Sequence, residues 1–132
     1  MLKLLLVSSD KDALFDLASA LAKYGDVELS WAESGETALN LASDAVIDLI
    51  VIDERLGDMT GLEFTAKLLT VNPMINCASV SSLSHEKFHK ESEGMGLLAQ
   101  LPIKPGKEHA KDLLQRLKYI KGLTDGVKDN IT

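Results

Sequence analysis

Two four-residue runs, Leu4-Leu5-Leu6-Val7 and Leu49-Ile50-Val51-Ile52, contain no polar residue. A strand with one wet face alternates apolar and polar positions; a run apolar on both sides of the pleat must be covered on both faces. Parallel sheets meet that condition, because their crossover helices pack on either side. The stretches between the runs have helical spacing. Ala13, Leu14, Leu17, Ala18 and Leu21 recur at intervals of three and four and stop near Tyr24-Gly25, where the glycine is placed to end a helix.

The rotation continues along the chain. Val27, Leu29 and Trp31 alternate with Glu28 and Ser30, as in an outer strand. Ser34 caps a helix to about Ser43, with Ala38, Leu41, Ala42 and Ala45 facing inward. After Asp53, Thr60-Gly61-Leu62-Glu63 forms a capping box, in which the threonine oxygen and the glutamate carboxylate each satisfy a free backbone N–H. The helix it opens carries Leu62, Ala66 and Leu69 and is over by Pro73. Ile75 to Ser81 is a weaker strand, Ser84 opens a polar helix anchored by Phe88, and Ala99 to Ile103 is a short strand. Ala110, Leu113, Leu114, Leu117 and Ile120 give the clearest amphipathic helix.

Five successive βα units are too few for an eight-stranded barrel, so the expected fold is an open, doubly wound α/β sheet. Residues 1–121 form the domain, and the polar, Gly-containing 122–132 reads as a flexible tail or linker stub. In such sheets ligands bind beyond the carboxyl ends of the strands. Ser8, Ser9 and Asp10 stand there after the first strand, Asp53 to Arg55 after the third, Ser81 and Ser82 after the fourth, and Lys104-Pro105 after the fifth.

Strand-end Asp53, the loop Leu56-Gly57-Asp58-Met59-Thr60-Gly61, Ser81 and Lys104-Pro105, in this order, resemble the receiver domains of bacterial two-component response regulators. The likeness covers roughly residues 2 to 120 and implies the flavodoxin-like strand order 2-1-3-4-5. It implies that Asp53 is the phosphoacceptor, that the Ser81 hydroxyl binds the phosphoryl oxygens, and that Lys104 pairs with carboxylate and phosphate. It also implies that Pro105 follows Lys104, often through a cis bond. In that family two acidic residues hold Mg²⁺ after the first strand; here Ser8 and Ser9 stand in their place. Hydroxyls bring no charge to a hard dication, which leaves at best a weak Mg²⁺ site through Asp10 and Asp53. Asp10 more naturally caps the first helix. Arg55 is placed to occupy part of the cation space and pair with Asp53. Gly57 replaces a usual proline and is expected to loosen its loop, and Leu101 stands where a switch Tyr or Phe is common.

The resulting expectation is a non-enzymatic signalling module with phosphorylation impaired or absent, working through protein contacts. Its partner is a histidine kinase or another signalling protein, met on the face of the fourth helix, fifth strand and fifth helix, and the chain is a monomer or weak homodimer. No cofactor is expected beyond weak Mg²⁺. The alternative is a flavodoxin-like module that binds a nucleotide or flavin in the same crevice. A net charge of −6 and a pI near 5.0 argue against direct nucleic-acid binding. With no apolar stretch near the roughly 20 residues of a membrane span and no signal-peptide pattern, the expected location is the cytoplasm. His85-Glu86-Lys87-Phe88-His89 matches the H-E-x-x-H zinc motif, but a third ligand is needed and nothing in the sequence brings His109 near. The segment reads as an exposed fourth helix. Cys77, the single cysteine, reads as a small core residue, and Trp31 as packing on an outer strand.

Overall fold

The structure, a computed structural model, describes residues 1–124. Strands β1 (Leu2–Val7), β2 (Val27–Ala32), β3 (Leu49–Ile52), β4 (Asn76–Val80) and β5 (Ala99–Leu101) alternate with helices α1 (Phe15–Leu21), α2 (Gly35–Asp44), α3 (Gly61–Val71), α4 (His85–Glu91) and α5 (Lys107–Thr124). All pairings are parallel, in the expected order β2-β1-β3-β4-β5.

The two unbroken apolar runs become adjacent central strands, with Leu4 opposite Leu49 and Val7 opposite Ile52. Their side chains divide by parity, as the pleat requires. Leu4, Leu6, Leu49 and Val51 pack with Leu14 and Leu17 and with Leu113, Leu114 and Leu117 of α5. Leu5, Val7, Ile50 and Ile52 pack on the other side with Ala38 and Ala42 of α2 and Phe64 and Leu68 of α3. Cys77 belongs to that second layer; burial pushes its thiol up to about 12, which leaves it protonated and unreactive. Trp31 is half-buried against the first layer, with the Lys11 ammonium 5.6 Å from its ring centroid.

Several local expectations are corrected. The first helix begins as a 3-10 turn, Lys11–Leu14, and α1 ends at Leu21, not at Gly25. Three-residue closures, Lys23 N–H to Ala20 O and Tyr24 N–H to Leu21 O, finish it, so no left-handed glycine is needed. The core stripe of α3 is Gly61, Phe64, Thr65 and Leu68; Ala66 is exposed and Leu62 and Leu69 only half-buried. On α2 the stripe is Gly35, Ala38 and Ala42, with Leu41 and Ala45 exposed. In both helices the stripe starts from a glycine, a residue that carries no hydropathy signal. β4 and β5 end sooner than expected, at Val80 and Leu101.

α5 continues to Thr124, beyond the expected start of the tail at 122, and residues 125–132 of that tail lie outside the described residues. Lys118 Nζ meets Asp26 and Lys121 Nζ meets Asp48, each at 2.8 Å. No described helix is long and apolar enough to cross a membrane.

These contacts set an acid limit. The Lys118 hydrogen bond lowers the pKa of Asp26; burial acts to raise that of Asp48, but Lys121 and the Lys3 amide outweigh it. Backbone N–H donors lower Asp58 and Glu63. A carboxylate with a depressed folded pKa contributes stability that is complete above its unfolded value and is lost as pH falls through the folded value. The urea midpoint should therefore hold level down to about pH 5 and drop below about pH 4, less steeply in Asp58→Asn. A midpoint that stays level to about pH 3 would contradict this.

Candidate functional site

The carboxyl ends of β1, β3, β4 and β5 gather the expected residues along one edge of the sheet. Asp53 follows β3 directly, and its N–H donates to Val7 O at 2.9 Å, which extends the β1–β3 ladder by one residue and fixes its backbone. Its half-buried carboxylate has two donors. The Glu54 N–H reaches Oδ1 at 2.7 Å, and the Ser8 hydroxyl reaches Oδ2 at 2.7 Å. Ser8 is buried; its Oγ also accepts the Asp10 N–H at 3.0 Å and lies 2.7 Å from Asp10 O. One hydroxyl proton serves both acceptors, and the charged carboxylate is the stronger.

The remaining candidates share the edge, and among the described residues none of them makes a side-chain hydrogen bond or ion pair with the Asp53 carboxylate. Asp10 is the N-cap of the 3-10 turn, with Oδ1 accepting the Asp12 N–H at 3.1 Å. Ser9 is exposed. The Ser81 hydroxyl accepts the Leu83 N–H at 3.1 Å. Lys104 is exposed and turns the chain with a φ of 53°, and the bond into Pro105 is trans. Neither Lys104 nor Arg55 enters any of the ion pairs among the described residues, so the expected pairing of either with Asp53 is absent here. Arg55 is exposed, and its backbone bridges Thr60.

The loop after Asp53 is firmer than Gly57 suggested. Gly57 adopts φ 86°, a left-handed turn position suited to glycine. Buried Leu56 donates its N–H to Met59 O, and the Asp58 carboxylate accepts the Gly35 and Glu36 N–H groups at 2.9 and 3.0 Å. The loop thus caps α2 from outside it. Glu54 and Ser82 stand among the expected strand-end residues, but the bond between them, like the role of Asp58, carries no signal in residue order or spacing.

Whether these groups suit the Mg²⁺ that the resemblance implies is a question of donor chemistry. Asp53 offers a carboxylate, but Ser8 turns a proton, not a free lone pair, toward it. The Asp10 and Glu54 carboxylates are engaged with backbone N–H groups of Asp12 and Ser82. Among the described residues no three His, Cys, Asp or Glu side chains converge as a metal site. A small dication needing near-octahedral anionic oxygen ligands does not fit this set.

On the neighbouring face, α4, β5 and α5 enclose a depression of about 430 Å³ lined by His85, Phe88, His89, Leu98, His109 and Arg116, among others. The fold therefore does bring His109 to the groove of His85 and His89, against expectation. Its Nδ1 accepts the Gly106 N–H at 2.9 Å, so it works as a cap at the start of α5.

Residues 4–118 match the response regulator receiver domain family, and the chain belongs to it. Over 67 residues it is 36% identical to the autoinducer 2 sensor kinase/phosphatase LuxQ of Vibrio harveyi, a stretch that is 51% of this chain and 8% of that relative. Among solved structures it is similar to the chemotaxis response regulator CheY4 of Vibrio cholerae, at TM-score 0.77 and 24% identity, covering 89% of this chain and 98% of that one. A CheY-like receiver domain protein from Methanospirillum hungatei JF-1 gives TM-score 0.74 and 23% identity, with 98% of both chains covered. These structural likenesses speak for the fold; the family match places the chain in two-component signalling, where receiver domains interact with histidine kinases or other signalling proteins.

Proposed function

We propose that this receiver domain signals by protein contact on its α4–β5–α5 face, with Asp53 unphosphorylated. The observation that carries the reading is the Ser8 hydroxyl bonded to Asp53 Oδ2. The bond supplies a neutral donor where a metal-assisted phosphoryl acceptor needs cationic charge, and it engages an oxygen that would otherwise be free for nucleophilic attack. A carboxylate with two short donors and, among the described residues, no ion pair is a stable end state. The groove beside α4 offers an apolar floor, Phe88, Leu98 and Leu101, rimmed by imidazoles and the Arg116 guanidinium. A signalling protein such as a histidine kinase is its natural partner, in keeping with the likeness to part of a sensor kinase/phosphatase.

The test is intact mass after incubation with acetyl phosphate, with and without millimolar Mg²⁺, beside Asp53→Asn. The expected spectrum is unchanged in every case. A gain of one phosphoryl group that Asp53→Asn abolishes would overturn the proposal.

A further inference from the structure

The β4–α4 connection, Ser81 to Ser84, is held from three directions. From the loop after β3, the Glu54 carboxylate accepts the Ser82 N–H at 2.6 Å, and the Ser82 hydroxyl lies 2.9 and 3.0 Å from its two oxygens. From within, Ser81 Oγ accepts the Leu83 N–H. From β5, the Gln100 side-chain amide donates to Leu83 O at 2.9 Å. Only the first of these has a charged partner, and hydrogen bonds to an ionised acceptor are about twice as strong as neutral ones.

The connection leads into the least anchored helix of the fold. α4 has seven residues and buries one of them, Phe88. A helix of that length has no stability of its own in water. Its placement rests on Phe88 and on the chain entering its N-terminus. Glu54, by contrast, is rigidly mounted: its N–H donates to Asp53 Oδ1 and its carbonyl accepts the Gly61 N–H at 2.9 Å. The carboxylate therefore projects from the fixed centre of the sheet onto the movable margin.

We infer that Glu54 is the positioning residue of α4, a built-in anion at the end of β3 that grips the end of β4 and fixes the α4–β5–α5 face while Asp53 is unmodified. An amide and a hydroxyl from the β4 end bind negative oxygens beside Asp53, and this chain supplies those oxygens from its own side chain. The inference rests on the reading that the face works without a phosphoryl group on Asp53.

Hydrogen exchange on the full chain tests it, with Glu54→Ala, Glu54→Gln and Ser82→Ala beside the parent. Glu54→Ala should speed exchange across residues 82–92 by about tenfold, while β1 and α1 amides stay within about twofold. Glu54→Gln keeps the shape and loses the charge, and Ser82→Ala keeps the amide and loses the hydroxyl; both should fall between. Combining Ser82→Ala with Glu54→Ala should add little, because both remove one contact. Unchanged exchange at 82–92, or a uniform rise with a lower melting temperature, would overturn the role of Glu54. Should Glu54→Ala fail to fold, Ser82→Ala reads the same contact. Exchange is measured without phosphodonor, so flat exchange sinks this inference even where the mass of Asp53 is unchanged, whereas a phosphoryl gain there sinks the reading beneath it.

Discussion

The Ser8→Asp, Ser9→Asp double variant is expected to melt below the parent in metal-free buffer and to recover the loss in millimolar Mg²⁺. At position 8 the new carboxylate would sit where a hydroxyl now lies 2.7 Å from Asp53 Oδ2. The hydroxyl's donated proton would be replaced by a second anion. Two unit charges about 4 Å apart repel by about 4 kcal/mol at an effective dielectric of about 20, partly relieved by protonation or by side-chain movement. A loss of about 2–3 kcal/mol without metal is the expected result. Mg²⁺ reverses the sign, because a clustered carboxylate set is what it binds. At a concentration one hundred times the dissociation constant, binding to the folded state alone returns about 2.7 kcal/mol. The parent, with Asp53 and a neutral Ser8, should show no Mg²⁺-dependent melting shift. Given acetyl phosphate and Mg²⁺, the double variant should gain a phosphoryl group on Asp53 with release of acetate, a mass shift the proposed reading does not expect of the parent. Melting curves with and without Mg²⁺ decide the matter: a parent that shifts as much as the variant would mean that the existing donors already hold the ion.

How far the residues announced this site depends on what kind of information a position carries. The central strands were plain because a run such as Leu49-Ile50-Val51-Ile52 has only one way to be buried on both faces. Strand order and the placing of Asp53, Ser81 and Lys104 on one edge followed from that fold and from the family likeness. Contacts did not follow. Lys104 and Arg55 stand beside Asp53 in the chain's logic, yet side-chain torsions and a left-handed turn at Lys104 carry no signature in residue order. The buried faces of α2 and α3 depart from the hydropathy pattern for a related reason. Gly35 and Gly61 lie on the buried side through the absence of a side chain, which hydropathy does not register. His109 joined His85 and His89 because α4 and α5 both border the edge strand β5, a relation of topology and not of spacing.

Gly61 also supports the largest expected loss of stability. A Cβ at this position would overlap the Asp53 carbonyl oxygen and stand 3.1 Å from Ile52 Cγ2. The first obstacle is backbone at the end of the central strand, so neither rotamer change nor local breathing relieves it. In Gly61→Ala the start of α3 must move off β3, straining the Gly61 N–H bond to Glu54 O and the packing of Phe64 beneath it. The expected cost is about 3 kcal/mol, or a melting temperature lower by roughly 10 °C. Gly35→Ala is the informative comparison. The three atoms nearest its Cβ all belong to the Met59 side chain, whose thioether has rotatable bonds with which to withdraw, so the expected cost is below about 1 kcal/mol. Gly106→Ala meets nothing within 4 Å and should be close to neutral. Denaturant curves for the three variants would refute this packing if Gly61→Ala proved no more costly than Gly35→Ala. Position matters beyond stability, because the Asp53 carbonyl that alanine would displace belongs to the residue whose carboxylate meets Ser8. The Gly61→Ala chain that remains folded should therefore show faster exchange at the Glu54 amide, which donates to Asp53 Oδ1, than at amides in β1.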